Sequence, residues 1–320
     1  MIKKKVLVLC GGDSSEREVS LMSGENVYKN ITREKYKVSL VEIAKSGLWH
    51  RVINWHRSKI QDINQFVLEF DVVFIALHGG DGENGKIQSF LQSTGVRYTG
   101  SGVAASKLAI DKFRTSEKVK KRSILIPKTI VLLKGAKIDY RKIDKDIGYP
   151  CIVKPNSAGS SIATNIVHRS VDSKKAIEDS FKEDCVTLVQ QYIKGRELTC
   201  PVIGNHNGQL IALPVLEITH SAELFDYYAK YKSQDTHEKA PIGLNRKFVN
   251  EAKRQSIAVH KALGCDGLTR SDFILSDDGQ LYFLEINTVP GMTKASLCPK
   301  SAKAAGMSFA DLLDKIIAFA

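Results

Sequence analysis

No stretch of the 320 residues runs apolar for the roughly 18 positions that a membrane-spanning helix needs. The N-terminal MIKKKVLVLCGG has the basic-then-apolar order of a secretion signal, but VLVLC is too short for its apolar core and stops at Gly11-Gly12. The six cysteines (10, 151, 185, 200, 265 and 298) form no CxxC and no short Cys/His pattern. Structural zinc and a disulfide framework are therefore not expected, whereas buried, reduced thiols in a cytoplasmic protein are. Repeats and low-complexity segments are missing. The net charge of +12 is scattered, with KKK at 3–5 and KVKKR at 118–122 the only dense basic runs. Such runs read as solvated faces, so neither nucleic acid nor a membrane is an expected partner, and an anionic small molecule remains.

Of the residues, 43% are hydrophobic, ample for a core in two or three compact units. Lys5 to Cys10 is a short, continuously apolar run of the kind buried on both faces of a parallel sheet. Further strands are expected at 37–43, 71–77 and 96–98, with helices between them; Ser15 and Glu18 have the spacing of a capping box at the first helix. Alternating strands and helices give a doubly wound α/β unit, whose ligands sit beyond the carboxyl ends of the strands. Glu16 and His78 fall there. Gly11-Gly12 does not continue as GxGxxG, so the first turn carries no dinucleotide fingerprint.

From Gly100 the chain reads as a junction, then a helix carrying Lys112 with Leu108, Phe113 and Val119 partly on one face. Strands follow at 128–133, 149–154, 162–168 and 186–193, with a helix over 172–181. Lys154 ends a strand and leads into the small-residue loop Asn156 to Ser161, whose backbone and hydroxyls (Ser160, Ser161) can approach a polyphosphate. The loop is not the GxxxxGK[ST] pattern of a P-loop. Gln190, Gln191, Tyr192 and Ile193 offer amide and backbone groups to a purine edge, and Glu197 can meet a ribose. A hairpin is expected about His206-Asn207-Gly208, and 220–242 is long for a connection, as lids are. Its FDYYAKY (225–231) carries Lys230 and Tyr231. Helices are expected at 245–263 and 309–319.

Asp266 to Met292 reads as a β-hairpin turning at Asp278-Gly279, a pair suited to a two-residue type I′ turn. That turn sets Asp272 opposite Glu285 and Arg270 opposite Asn287, all on one face. Facing carboxylates repel, and a divalent cation would remove the conflict. Asp, Glu and Asn oxygens are hard ligands suited to Mg²⁺ held together with phosphates. Lys112, Lys154 and Lys230 with this face suit phosphoryl transfer from a nucleotide.

At this point the chain resembles the D-alanine–D-alanine ligase family of the ATP-grasp superfamily along nearly its whole length. The resemblance is carried by GGDSSEREVSLMSG (11–24), ALHGGDGENGKIQ (76–88), YTGSGVAASKLAIDK (98–112), VKPNSAGSS (153–161), FDYYAKY (225–231), TRSDF (269–273), LEINTVPGMT (284–293) and SL (296–297). It implies an α/β ATP-grasp fold in three units: an N-terminal substrate-binding unit (1–103), a central lid unit (104–193) and a C-terminal metal-binding unit (194–320). It implies a homodimer that binds ATP and D-alanine. Lys112, Lys154, Lys230, Ser160 and Ser161 would contact the phosphates, Gln190 to Ile193 the adenine and Glu197 the ribose. Asp272, Glu285 and Asn287 would hold two Mg²⁺ ions, with Mn²⁺ as an alternative. Glu16, Val19 and His78 would surround the first D-alanine, Arg270 and the Gly291 N–H the oxyanion, and Ser296 and Leu297 the carboxylate of the second. Glu16, Ser160 and Tyr231 would close the lid as a hydrogen-bonded set. Ala158, Ala163 and Gln190 stand where the family carries Glu, Gly and an acidic residue. The alternative within the superfamily is a ligase that joins D-alanine or another amino acid to a different amine or hydroxy acid.

Overall fold

The computed structural model describes residues 2–54, 56–159, 162–219, 237–239 and 243–320, arranged about three sheets. The first contains β1 (Lys4–Gly11), β2 (Tyr36–Ile43), β3 (Trp49–Ile53), β4 (His56–Lys59), β5 (Val72–Ile75) and β6 (Arg97–Tyr98) in the order β4-β3-β2-β1-β5-β6. The four strands expected from the sequence, β2, β1, β5 and β6, pair in parallel. The antiparallel β3–β4 hairpin on the edge was not foreseen; its strands are short, and β4 is exposed throughout. The apolar run of β1 is buried on both faces, as its continuity implies. Val6 and Val8 face a core completed by Leu312, Leu313, Ile316 and Ile317 of the last helix, while Leu7 and Leu9 face Trp49, Ile87 and Leu91. The last helix, Phe309–Ala318, thus closes the first sheet; its Ser308–Asp311 capping box fixes where it starts.

The first helix, α1 (Arg17–Asn30), departs from expectation. Glu16 itself occupies the N-cap position, no side chain caps it, and the Ser15–Glu18 box does not form. Ser14 is hydrogen-bonded to the neighbouring loop instead, donating from Oγ to the His78 carbonyl at 2.6 Å and accepting from the Glu16 amide at 3.2 Å. The buried face is Val19, Ser20, Ser23, Gly24 and Val27, whereas Met22 points outward. Small residues let α1 lie close on β1: a Cβ at Gly24 would fall 2.5 Å from that of Cys10.

The second sheet is antiparallel, β7 (Thr129–Leu133), β10 (Val186–Gln191), β8 (Cys151–Pro155) and β9 (Asn165–Val167) in that order. The third is also antiparallel, with β14 (His237–Lys239), β13 (Leu216–Thr219), β11 (Gly195–Ile203), β15 (Leu268–Ser276) and β16 (Leu281–Asn287) in order, and β12 (Ile211–Ala212) beside β11. The single helix expected around Lys112 is two, Val103–Ile110 and Lys112–Lys120, broken at Asp111, whose side chain caps the second by accepting from the Arg114 amide. Ala105, Ala109 and Val119 of these helices, with Ala252 and Val259 of the long helix Arg246–Leu263, pack on Phe273 and Phe283 of the third sheet.

The β15–β16 hairpin has the expected pairs Asp272↔Glu285 and Arg270↔Asn287, but not the expected turn. Gln280 and Ser276 face one another, with the Ser276 amide donating to the Gln280 carbonyl, around a three-residue loop whose Gly279 has φ +80°. Leu275 consequently pairs Leu281 and Phe273 pairs Phe283. A register shift between Asp272 and Phe273 then leaves Leu284 as the extra residue of a bulge and restores the pairing at Asp272. Gly279→Ala should destabilise the protein by roughly 1–2 kcal/mol, the cost of a left-handed alanine, with Phe248 3.3 Å from the new methyl adding crowding; urea unfolding checks this.

Candidate active site

Two confluent cavities lie where the three sheets meet. The larger, about 390 Å³, is lined by Lys112, Lys154, the 190–193 strand end, Glu197, Arg270, Asp272 and Glu285, among others. This is the cleft the sequence reading expects for the nucleotide, and its volume suits a small-molecule site. The smaller, about 70 Å³, is lined by Glu16, His78, Glu83, Gly159, Asn287, Gly291, Ser296 and Leu297. Lys112, Ala158, Arg270, Glu285 and Leu297 line both, so the two cavities adjoin along these residues. Ser160, Ser161, Lys230 and Tyr231 lie outside the described residues. Val19 is buried in α1 and is not among the residues lining these two cavities.

The acid pair on β15 and β16 is met by cations from three places. Arg270 grips Asp272 with two hydrogen bonds, Nε to Oδ1 at 3.0 Å and Nη2 to Oδ2 at 2.7 Å. Burial works against the guanidinium charge, but Asp272 more than offsets it and holds Arg270 protonated beyond its ordinary range. Thr199 on β11 donates to Asp272 Oδ1 at 2.6 Å. Lys112 Nζ lies 3.3 Å from Glu285 Oε2 and donates to the Ala158 carbonyl at 2.6 Å. Ala158 therefore serves through its backbone, which an alanine supplies as well as a glutamate. Lys154 is buried at the end of β8; desolvation, only partly countered by Glu285, lowers its ammonium to about 8. A phosphate in the cleft would restore that charge. Among the described residues no group of three or more His, Cys, Asp and Glu gathers as a metal cluster. Two carboxylates and the Asn287 amide fit a hard cation that completes its shell with phosphate oxygens.

His78 is a satisfied buried histidine. Its Nδ1 meets the Val289 carbonyl at 2.9 Å and its Nε2 meets Ser23 Oγ at 2.8 Å. Burial pushes its pKa down, so the ring is neutral, and it shapes the cavity rather than donating into it. Ser23 also accepts from the Met292 amide at 3.1 Å, and Asn26 donates to the Met292 carbonyl at 2.7 Å. Helix α1 thus holds both His78 and the 289–292 loop that carries Gly291. Ser296 caps the helix Leu297–Ala304 by position and accepts from the Thr293 amide at 3.0 Å. Gln190 is buried and donates to Thr129 Oγ1 at 2.9 Å. Thr199, Ser23 and Glu83 escaped the sequence reading. A lone threonine in a strand or a serine on a helix carries no local signal, and Glu83 is marked only by its place four residues after Gly79.

Three sheets around a nucleotide-sized cleft, with lysines above an Asp/Glu/Asn strand face, define an ATP-grasp protein. Two family models cover the chain, "D-ala D-ala ligase N-terminus" over residues 5–101 and "D-ala D-ala ligase C-terminus" over 120–318. The chain belongs to the D-alanine–D-alanine ligase family. It is 40% identical over 313 residues to D-alanine–D-alanine ligase B of Clostridium perfringens, covering 98% of this chain and 97% of that one. The VanG D-Ala:D-Ser ligase of Enterococcus faecalis superposes with a TM-score of 0.89 at 30% identity, over 99% of both chains. A D-alanine–D-alanine ligase of Bacillus anthracis complexed with ATP does so with a TM-score of 0.82 at 32% identity, over 99% of this chain and 97% of that one.

Ser23→Ala leaves a buried ring nitrogen and an amide without their partner and should cost roughly 1–3 kcal/mol of stability in urea unfolding. Ala163 has φ +49°, in the left-handed region that favours glycine. Ala163→Gly should relieve about 1 kcal/mol of strain, read as a higher denaturation midpoint.

Proposed function

We propose that this chain joins two D-alanines into D-alanyl-D-alanine using ATP, for peptidoglycan precursor synthesis in the cytoplasm. The observation that carries this reading is the confluence of the two cavities at Lys112, Arg270 and Glu285. Nucleotide phosphates on one side and an amino-acid carboxylate on the other would meet there. The carboxylate of the first D-alanine attacks the γ-phosphate of ATP, giving an acyl phosphate and ADP. The amine of the second D-alanine then attacks the acyl carbon, and phosphate leaves with its bonding electrons.

In this reading Lys112, Lys154 and Lys230 hold the phosphates with Ser160 and Ser161, while Gln190 to Ile193 and Glu197 hold the nucleoside. Glu16 takes the ammonium of the first D-alanine, Arg270 and the Gly291 amide stabilise the oxyanion, and Ser296 and Leu297 receive the second carboxylate. Asp272, Glu285 and Asn287 would hold Mg²⁺, which neutralises phosphate charge when bound. Glu16, Ser160 and Tyr231 close the site against water, which would hydrolyse the acyl phosphate. The units 1–103, 104–193 and 194–320 and a homodimeric assembly belong to the same proposal. No helix among the described residues is long and apolar enough to cross a membrane.

A second reading, ligation of D-alanine to a different second substrate, is favoured by the likeness to the D-Ala:D-Ser ligase. One assay separates them: phosphate release from MgATP with D-alanine alone or with D-serine or D-lactate, with products identified by mass. D-alanine-dependent release with one dipeptide per phosphate is expected. Release only when a second acid is added would move the function to the second reading. Glu285→Gln should lower turnover by roughly 10²-fold or more; near-normal ADP formation would remove Glu285 from the metal face.

A further inference from the structure

Three side chains form a row across the third sheet. Thr199 on β11 pairs with Asp272 on β15, and Asp272 pairs with Glu285 on β16. Directly opposed residues share a face, so Thr199 stands beside Asp272 on the side away from Glu285. Thr199 is fully buried and is not among the residues lining either cavity. Its hydroxyl donates to Asp272 Oδ1 at 2.6 Å, a length typical of an O–H donor on an ionised carboxylate. Arg270 is the other hydrogen-bond partner of Asp272 among the described residues, with Nε on Oδ1 and Nη2 on Oδ2. A carboxylate offers about four acceptor positions. Thr199 and Arg270 together take two on Oδ1 and one on Oδ2, so the position left open is on Oδ2.

The two donors differ in what they do to a cation. A guanidinium beside Asp272 repels a divalent ion on the same carboxylate. A hydroxyl brings no net charge, and on β-branched threonine it sits on a stiff χ1. We infer that Thr199 is the positioning residue for Asp272: it holds Oδ1 in place while the carboxylate serves as a Mg²⁺ ligand, and leaves Oδ2 for the cation. The inference rests on the metal face proposed above. Donors of this kind fix a ligating carboxylate from behind, and their loss is felt in metal affinity although they touch neither metal nor substrate. With an apolar side chain at position 199, Arg270 would be the only group holding Asp272. The carboxylate would then be held only by a group that competes with the metal for its charge.

The test uses the whole chain without turnover. AMP-PNP binding is measured by calorimetry over a series of free Mg²⁺ concentrations, and Mn²⁺ binding to the AMP-PNP complex is followed by electron paramagnetic resonance. Thr199→Val keeps the shape and removes the donor. It should need at least about tenfold more free Mg²⁺ for half-maximal AMP-PNP binding and hold Mn²⁺ correspondingly more weakly. Thr199→Ser keeps the donor and should stay close to wild type. A role in stability alone would lower the urea midpoint of Thr199→Val and leave its Mg²⁺ requirement unchanged, and that result overturns the inference. So does a Thr199→Ser protein as impaired in metal binding as Thr199→Val. Thr199→Ala supplies the same comparison if Thr199→Val does not fold. Asp272→Asn, titrated alongside, separates two failures. An unaltered Mg²⁺ requirement there removes Asp272 from the proposed metal face and takes the inference with it. A raised requirement in Asp272→Asn beside an unchanged Thr199→Val overturns the inference alone.

Discussion

Asp272 and Glu285 face one another across two antiparallel strands, and the rest of the site is arranged around that conflict. Opposed like charges weaken a strand pair, and half-buried ones do so more, because less water screens them. Arg270, two residues along the same strand and so on the same face, answers Asp272 within the sheet. Lys112 answers Glu285 from a helix that packs on that sheet, and the field of Glu285 reaches Lys154 at the end of β8 in the second sheet. A structure that must neutralise two acids with cations from separate elements brings those elements together at one line. The cleft lies along it.

The same bookkeeping of charge explains why the site is not self-sufficient. Lys154 is buried with too little negative charge around it, and its ammonium is weakened to about 8. Desolvation, and then Glu16, push the carboxyl of partly exposed Glu83 up to about 8. The lysine's shift has the sign that a polyphosphate would correct. Groups misfit alone and matched by a bound partner are what a binding site looks like in free-energy terms.

The elements with a strong periodic signal were legible in the sequence. The doubly buried β1, the helix Arg246–Leu263 and the helix Phe309–Ala318 stand within a residue or so of expectation. Facing carboxylates were also legible, although by a route that needed two departures to agree. The two-residue turn is in truth a three-residue loop, which would have misaligned Asp272, and the bulge at Leu284 realigns it. Turn length is decided by local backbone geometry, but which carboxylates face is decided by the site, and the bulge reconciles them. Where the sequence misled, tertiary contact overrode local chemistry. Ser14 bonds the His78 loop, the Ser15–Glu18 box stays open, and Asp111 caps a new helix where apolar spacing suggests one that continues. Nothing in the sequence near His78 shows that Ser23 and Val289, from distant segments, take both its nitrogens.

Glycine placement around Glu16 ties these threads to function. A Cβ at Gly159 would lie 2.2 Å from Glu16 Oε2, and one at Gly79 would lie 2.7 Å from it. The carboxylate is thus held between two backbones, one from the first sheet's loop and one from the loop after β8. A side chain at Gly159 would push the second-sheet loop away, and with it the Ala158 carbonyl that anchors Lys112. Lys112 in turn is the cation on Glu285. The small size of one residue in the loop after β8 therefore bears on both Glu16 and Glu285, the acids proposed for the substrate ammonium and for the metal. Glu16, Gly159, Ala158, Lys112 and Glu285 thus form one run of neighbours from the first sheet's loop to the third sheet.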